Sequence, residues 1–198
     1  MRLSHVLLLL FIVELMSSCT PNSHASSQDQ EVLFTMKDKD WITGGTATWT
    51  FNGEELIGKS DSGSSFIMTN DVYKDFELTL EFKPDSTVNS GVFVRCKNQE
   101  LSADDCYEIN IWDLHPNQDY RTGTIVRRSE RAVKVETLNK WNTYQIRLEG
   151  NHLQASINGI KTADVINDDL LEGYIGLQAG QAGEIRFRNV TVSKTSPD

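Results

Sequence analysis

Short runs of alternating hydrophobic and polar residues fill the chain from about residue 31 to its end. The clearest run is 76–83 (FELTLEFK), in which every second side chain is apolar. An alternation with a period of two places the apolar side chains on one face of a β-strand. Further strands are predicted at residues 92–96, 107–112, 141–148, 153–157, 174–178 and 185–192.

The segments between these runs read as turns. Asn158-Gly159 separates two apolar runs and is a strong signal for a two-residue hairpin turn. No long window has helical periodicity, although residues 168–172 could form one helical turn before Gly173. The pattern therefore predicts an all-β fold, an antiparallel sandwich of two sheets.

The N-terminal segment differs from the rest of the chain. After Arg2, residues 6–13 (VLLLLFIV) form an apolar run too short to span a bilayer stably, and small residues then precede Cys19. This pattern resembles a bacterial lipoprotein signal, with Cys19 as the lipidated residue; the alternative is a plain secretory signal with Cys19 as a spare thiol. We expect a signal peptide at 1–18, a flexible tether at 19–30, one domain at 31–198, and export to the cell envelope.

Composition narrows the range of partners. The 198 residues carry a formal net charge of −9, and 38% of them are hydrophobic, enough for one packed core. Binding to a nucleic-acid backbone needs a surplus of Lys and Arg, which this chain lacks. A polybasic module that binds a membrane surface is excluded for the same reason. We therefore expect no nucleic-acid partner, and contact with a membrane only through the N-terminal lipid.

Two cysteines remain in the domain if Cys19 is lipidated. Cys96 and Cys106 flank a polar stretch between two predicted strands. In an oxidising compartment an even pair of this kind predicts a disulfide. A metal site with two thiolates is the alternative, but no further soft ligand lies at a suitable spacing.

The stretch richest in side chains that could bind a ligand or catalyse a reaction is 89–123. Arg95 on one predicted strand and Glu108, Asn110 and Trp112 on the next are polar or amphipathic groups among apolar ones. An indole platform beside hydrogen-bonding groups is what a sugar site needs. The alternative is a solvated sheet face with an Arg95–Glu108 ion pair. The two side chains share a face only if the strands are offset by one residue or one of them bulges, which the sequence leaves open.

Six motifs in order identify a family resemblance. They are NSGVFVR, YEINIWD, TG, WNTYQI, GYIGLQAG and RFRNV, spread over about residues 40–193. Together they resemble the 3-keto-disaccharide hydrolase domain family. The resemblance implies a concanavalin-like jelly roll with a ligand cleft on its concave face. It also implies a carbohydrate substrate, a glycoside oxidised to a ketone at the third carbon of the sugar.

Elimination from such a glycoside needs a base near C2, an electrophile for the enolate oxygen and an acid for the leaving oxygen. We assign Arg95 to the developing oxyanion and Glu108 or His115 to the base. The candidate substrate-binding residues are Asn110, Trp112, Asp113, Arg121 and Gln178. Glu108 and Asp113 lie five positions apart and face opposite sides of a regular strand, which argues against a conventional pair of glycosidase carboxylates unless Glu108 pairs with Glu77 or Glu81.

One departure from the family's pattern leaves other functions open. Many family members carry a His after the Leu-Gln pair, where this chain has Ala179. A non-catalytic carbohydrate-binding module and a structural interaction domain are therefore the alternatives. No cofactor is required by the sequence, which has no glycine-rich phosphate loop. A divalent metal stays open, because Glu108, Asp113, His115 and Asp119 could offer ligands, although their spacing matches no established site.

Overall fold

A computed structural model describes residues 30–35 and 41–195. The predicted signal segment 1–18, Cys19 and all of the predicted tether except its last residue lie outside the described residues. No helix in the described part is long and apolar enough to cross a membrane.

The described residues form β-strands joined by turns and loops, with one short 3-10 helix at Gln118–Tyr120. The strands are β1 (Gln30–Val32), β2 (Ile42–Gly44), β3 (Thr48–Phe51), β4 (Leu56–Ser60), β5 (Ser64–Met68), β6 (Phe76–Pro84), β7 (Val88–Cys96), β8 (Tyr107–Ile111), β9 (Asn142–Glu149), β10 (His152–Ile157), β11 (Ile160–Ile166), β12 (Tyr174–Gln181) and β13 (Gly183–Lys194). Every predicted strand is present, with ends shifted by a few residues. The helical turn considered at 168–172 does not form.

The strands make two antiparallel sheets. The large sheet has the order β11-β10-β9-β6-β13-β4-β3, with β1 paired to β13, and the small sheet has the order β2-β5-β12-β7-β8. Neighbouring strands are often far apart in the chain, as in β6 and β13 or β7 and β12, so the connections cross between the sheets. The predicted two-sheet jelly-roll sandwich is confirmed.

The core lies between the inner faces of the two sheets. On β6 the predicted alternation is exact to the residue, since Phe76, Leu78, Leu80 and Phe82 are fully buried and the residues between them are half-buried. Val92, Ile109 and Leu177 line the facing side of the small sheet. Except at the end of β7, the odd and even positions of the small sheet's strands therefore divide into inward and outward side chains.

The predicted hairpin turn is also confirmed. Asn158 and Gly159 join β10 to β11 and have φ angles of 51° and 78°. Two successive positive φ values match the twist of the flanking strands, and Asn and Gly adopt them at low cost.

The hairpin of β7 and β8 resolves the register that the sequence left open. Phe93 pairs with Glu108 and Val94 with Tyr107, so the strands are offset by one residue from the register that would put Cys96 opposite Cys106. The predicted Cys96–Cys106 disulfide is present, with Cα atoms 4.1 Å apart. A bulge at the end of β7 absorbs the extra residue: the pairing with β12 shifts there, and Arg95 has a left-handed φ of 51°.

Candidate functional site on the small sheet

The outward face of the small sheet gathers most of the predicted site residues. One row across it runs Phe66, Gln178, Gly91 and Asn110, each paired with the next. The neighbouring row runs Met68, Gly176, Phe93 and Glu108. Side chains that follow one another across a sheet stand about 5 Å apart, so Glu108, Asn110 and Gln178 surround a single patch.

Gly91 lies at the centre of this patch. A Cβ atom at this position would lie 3.2 Å from Cε2 of Phe93 and 3.6 Å from Cγ of Glu108. The Phe93 ring and the Glu108 side chain therefore occupy the space beside Gly91. Glycine inside a strand commonly marks a place where another group approaches the backbone closely.

Two buried amides border Gly91, and each has one unsatisfied oxygen. Asn110 donates through Nδ2 to the backbone oxygen of Tyr120, and Gln178 donates through Nε2 to Oγ of Ser64 at 3.0 Å. Their carbonyl oxygens, Oδ1 and Oε1, have no hydrogen-bond donor among the described residues. A buried acceptor without a donor costs about 1–3 kcal/mol, which a ligand hydroxyl could recover.

Glu108 is the carboxyl group of the patch. Glu108 is half-buried, and its carboxyl group makes no hydrogen bond or ion pair with any described residue. Burial raises its pKa to about 7, and the nearby charge of Arg127 opposes this rise. A carboxyl group with such a pKa exchanges a proton readily at neutral pH.

The segments paired with the two edges of β8 explain this burial. Phe93 is the direct neighbour of Glu108 on β7. On the other side, the N–H of Val126 donates to the backbone oxygen of Glu108 at 2.9 Å, continuing the ladder from the bridge between Ile109 and Ile125. Residues directly opposite in an antiparallel pair share a face, so Val126 stands beside Glu108. Two apolar neighbours remove water from the carboxyl group and disfavour its charged form.

A cluster of three rings lies beside Asn110, just after β8. The centre of the His115 ring is 4.3 Å from that of Trp112 and 5.6 Å from that of Tyr120, with edge-to-face geometry in both pairs. The N–H of Asn117 donates to Nδ1 of His115 at 3.0 Å. Nδ1 therefore serves as a hydrogen-bond acceptor, and Nε2 is the ring nitrogen left to donate. Arg121 follows Tyr120 and is half-buried.

A second, smaller apolar cluster supports the patch from one side. The Cys96–Cys106 disulfide packs with Met68 and Phe93 on the outward face, together with Leu101 from the loop that the disulfide closes. A Cβ at Gly176 would lie 3.1 Å from Cδ2 of Leu101, so this loop lies directly on the sheet. The disulfide therefore holds the wall against which the Phe93 ring packs.

Arg95 is not brought to Glu108. The bulge turns its side chain inward, where it is fully buried. Its guanidinium group donates to the backbone oxygens of Lys74, Gly150 and Leu170 and to Oδ1 of Asp75, at 2.7–3.2 Å. Burial lowers the pKa of Arg95, and the Asp75 charge opposes this. Since its N–H groups are all engaged inside the sandwich, the structure gives Arg95 the role of joining loops and not that of an electrophile on the outward face.

Asp113 is also engaged by the protein. It is buried, and its two carboxylate oxygens accept from the N–H and the Oγ1–H of Thr137, both at 2.7 Å. It therefore ties the long loop after β8 to the end of the sandwich. Asp119 pairs with Arg131 elsewhere on this loop. Within the described ranges, no group of three or more His, Cys, Asp or Glu side chains could hold a metal ion.

Sequence reasoning missed several residues of the patch. Gly91 and Phe93 belong to the NSGVFVR motif, and a glycine within a strand pattern was the available signal for the first of them. No sequence pattern indicated Val126 and Arg127 as part of the site, because only the pairing of their segment with the edge of β8 brings them to Glu108.

The fold is an antiparallel sandwich of two sheets, and one outward face carries an aromatic cluster, orphan amide oxygens and a half-buried carboxyl group. These are the features of a carbohydrate-handling domain of the lectin and glucanase class. A family model describes the particular relationship. The chain belongs to the 3-keto-alpha-glucoside-1,2-lyase-like domain family, whose model matches residues 29–193.

Solved structures agree with this assignment. A candidate glycosyl hydrolase of Parabacteroides distasonis is 26% identical, with a TM-score of 0.71, and the match covers 84% of this chain and 99% of that one. A second from the same organism is 17% identical, with a TM-score of 0.69 and coverages of 84% and 94%. A family-66 carbohydrate-binding module of Bacillus subtilis is 20% identical, with a TM-score of 0.58 and coverages of 78% and 95%. No curated protein matches. Family and neighbours support a glycoside-hydrolase-like or carbohydrate-binding function.

Proposed function

We propose that this protein cleaves the glycosidic bond of 3-keto-glycosides by elimination followed by hydration, with Glu108 as the base. The observation that carries the proposal is a carboxyl group without a protein partner, next to the row in which Gly91 separates the orphan oxygens of Asn110 and Gln178. A carboxylate that only maintained the fold would be expected to have a hydrogen-bonding partner.

The chemistry follows from the ketone. The keto group at C3 acidifies the hydrogen on C2, so the Glu108 carboxylate removes that proton and the C–H electron pair forms an enolate with the C3 oxygen. When the ketone re-forms, this pair becomes a C1–C2 double bond and the C1–oxygen bond breaks. The leaving oxygen accepts a hydrogen bond from Nε2–H of His115 and takes its proton from water, and the hydroxide so formed recovers the C2 proton from Glu108. Addition of water across the double bond then gives the free 3-keto sugar.

The surrounding groups have matching roles in this proposal. The orphan oxygens of Asn110 and Gln178 accept hydrogen bonds from sugar hydroxyl groups, and they disfavour a carboxylated sugar, which would bring a negative charge close to three acceptors. Trp112, beside His115, provides an apolar edge for the departing group.

The test is turnover of a panel of 3-keto-glucosides in D₂O by the wild type and Glu108→Gln. Elimination and hydration place solvent deuterium on C2 of the released sugar, whereas direct hydrolysis does not; the free product incubated alone measures background exchange. We expect Glu108→Gln to lose about 10²–10⁴-fold in kcat. The exposed Glu172→Gln is the matched control and should keep full activity. Release of sugar without deuterium at C2 would refute the elimination.

The second candidate function is carbohydrate binding without turnover. The orphan oxygens on Asn110 and Gln178 favour it as much as they favour catalysis, because both functions need hydroxyl recognition. A binding module would retain unoxidised glycans on an affinity column and release no product from the keto-glucoside panel.

We also propose that the mature protein is exported and anchored to the bacterial envelope through a lipid on Cys19. The Cys96–Cys106 disulfide supports export, since such bonds persist in oxidising compartments. Membrane fractionation and intact-mass measurement of the wild type and Cys19→Ser test this. A wild-type chain that is soluble and unlipidated would refute it.

A further inference from the structure

We propose that Arg127 is the electrophilic group of the Glu108 site and binds the oxygen on which negative charge develops. This inference rests on the proposed elimination. It supplies the cation that the reaction needs on the outward face and that Arg95 does not provide.

The backbone brings Arg127 to Glu108. The hydrogen bond from the N–H of Val126 to the oxygen of Glu108 places residue 126 opposite the carboxyl group, and Arg127 comes next. Arg127 leaves the strand geometry at this point, with a left-handed φ of 62°. A residue with a side chain adopts this region at a cost of about 1 kcal/mol or more, and such residues are frequent at functional sites. The charge of Arg127 acts on Glu108, which agrees with this placement.

A second contact orients the guanidinium group. Nη1 of Arg127 pairs with Oδ1 of Asp104 at 2.5 Å. Asp104 belongs to the loop that the disulfide closes, so the arginine links the two segments on either side of Glu108. The pair is exposed, with 56% of the Arg127 side chain accessible, and such a pair contributes little to stability.

The unused donors of Arg127 distinguish it from the other arginine considered for this role. Nε and Nη2 of Arg127 make no hydrogen bond with a described residue, whereas Nε, Nη1 and Nη2 of Arg95 are all engaged. A guanidinium group held at one nitrogen can present its remaining N–H groups to an acceptor. A ketone oxygen adjacent to the carbon that Glu108 deprotonates is such an acceptor.

The charges of the step balance in this arrangement. The Glu108 carboxylate becomes neutral when it takes the C2 proton, and the negative charge moves to the C3 oxygen. The Arg127 cation faces a carboxylate before the transfer and an enolate after it. An N–H group of Arg127 on the C3 oxygen meets an acceptor whose charge grows as the proton is transferred, so the interaction strengthens in the transition state and acts mainly on kcat.

The experiment compares the full mature chain with Arg127→Gln, Arg127→Lys and Glu108→Gln on the keto-glucoside panel. Arg131→Gln is the matched control, since it removes another exposed Arg–Asp pair, with Asp119, from the same loop. We expect Arg127→Gln to lose about 10²-fold or more in kcat with little change in KM. Its acid limb in kcat/KM should move to higher pH, because the Arg127 charge lowers the pKa of Glu108. Lysine should restore the pH limb better than kcat, and Arg131→Gln should match the wild type.

The outcomes separate this inference from the proposed function. An inactive wild type overturns both. A wild type that is active and depends on Glu108, with Arg127→Gln unchanged in kcat and in pH profile, overturns only the role of Arg127. Thermal unfolding of each variant should stay close to the wild type, because the side chain is exposed.

Discussion

Glu108 should make the folded protein less stable as the pH rises, and its replacement by Gln should remove this effect. Its pKa in the folded state is about 7, against an ordinary value of 4.5 for a Glu side chain. The folded state therefore holds the proton over a range of pH in which the unfolded chain has lost it. By linkage, the free energy of unfolding falls between about pH 4.5 and 7, and the full loss is present above that range.

The size of the effect follows from the shift. Each pKa unit corresponds to 1.36 kcal/mol, so a rise from 4.5 to about 7 sets an upper limit of about 3 kcal/mol. Glu108 is half-buried and partly screened by water, so we expect about 1–3 kcal/mol. Gln has nearly the same shape and no charge. Glu108→Gln should therefore be more stable than the wild type at pH 9 by this amount, and close to it at pH 4.

Urea unfolding of both proteins between pH 4 and 9 measures the difference, and the subtraction cancels the titration of all other groups. Glu172→Gln is the control, because its exposed carboxyl group is in water in both states. An advantage for Glu108→Gln that is the same at pH 4 and pH 9 would refute the reasoning. A loss of stability that accompanies a carboxyl group with a raised pKa is typical of active sites.

Three further predictions concern the support of the site. Replacing Cys96 and Cys106 by Ala should lower the unfolding free energy by about 2.7 kcal/mol, the chain-entropy value for their sequence separation of 10, and the wild type in reductant should behave in the same way. Arg95→Met should lower the unfolding free energy measured in urea by about 3–5 kcal/mol, because it leaves buried carbonyl oxygens and the Asp75 carboxylate without their donor. The folded fraction of this variant should keep the wild-type KM for the keto-glucoside. Gly91→Ala should weaken binding of the keto-glucoside, since its Cβ would press on the Phe93 ring at 3.2 Å, and should cost less stability than Arg95→Met. An unchanged KM would contradict the placement of the ligand.

Much of the fold could be predicted because its signals are local. The alternation on β6 needs only a sheet with one buried face, and the Asn158-Gly159 turn needs only two residues that tolerate positive φ. The disulfide could be predicted from the count of cysteines and their spacing. The family could be predicted from ordered motifs, and the match over residues 29–193 confirms it.

The candidate site was predicted less completely. Glu108, Asn110 and Trp112 could be named as candidates, because they stand at every second position of one predicted strand. The role of Arg95 could not be predicted, since one bulged residue decides which face it joins. Asp113 appeared free in the sequence, and only the return of the long loop shows that Thr137 occupies its carboxylate.

By itself, the sequence determined the strand pattern, the cysteine pair and the family, since each depends on neighbouring residues or on motifs read in order. Only the tertiary structure decided which groups meet at the site. Strand pairing sets Gln178 and Asn110 on either side of Gly91, and edge pairing brings Val126 and Arg127 to Glu108. These contacts join segments far apart in the chain, and a one-residue shift in register would move every side chain of a strand to the opposite face.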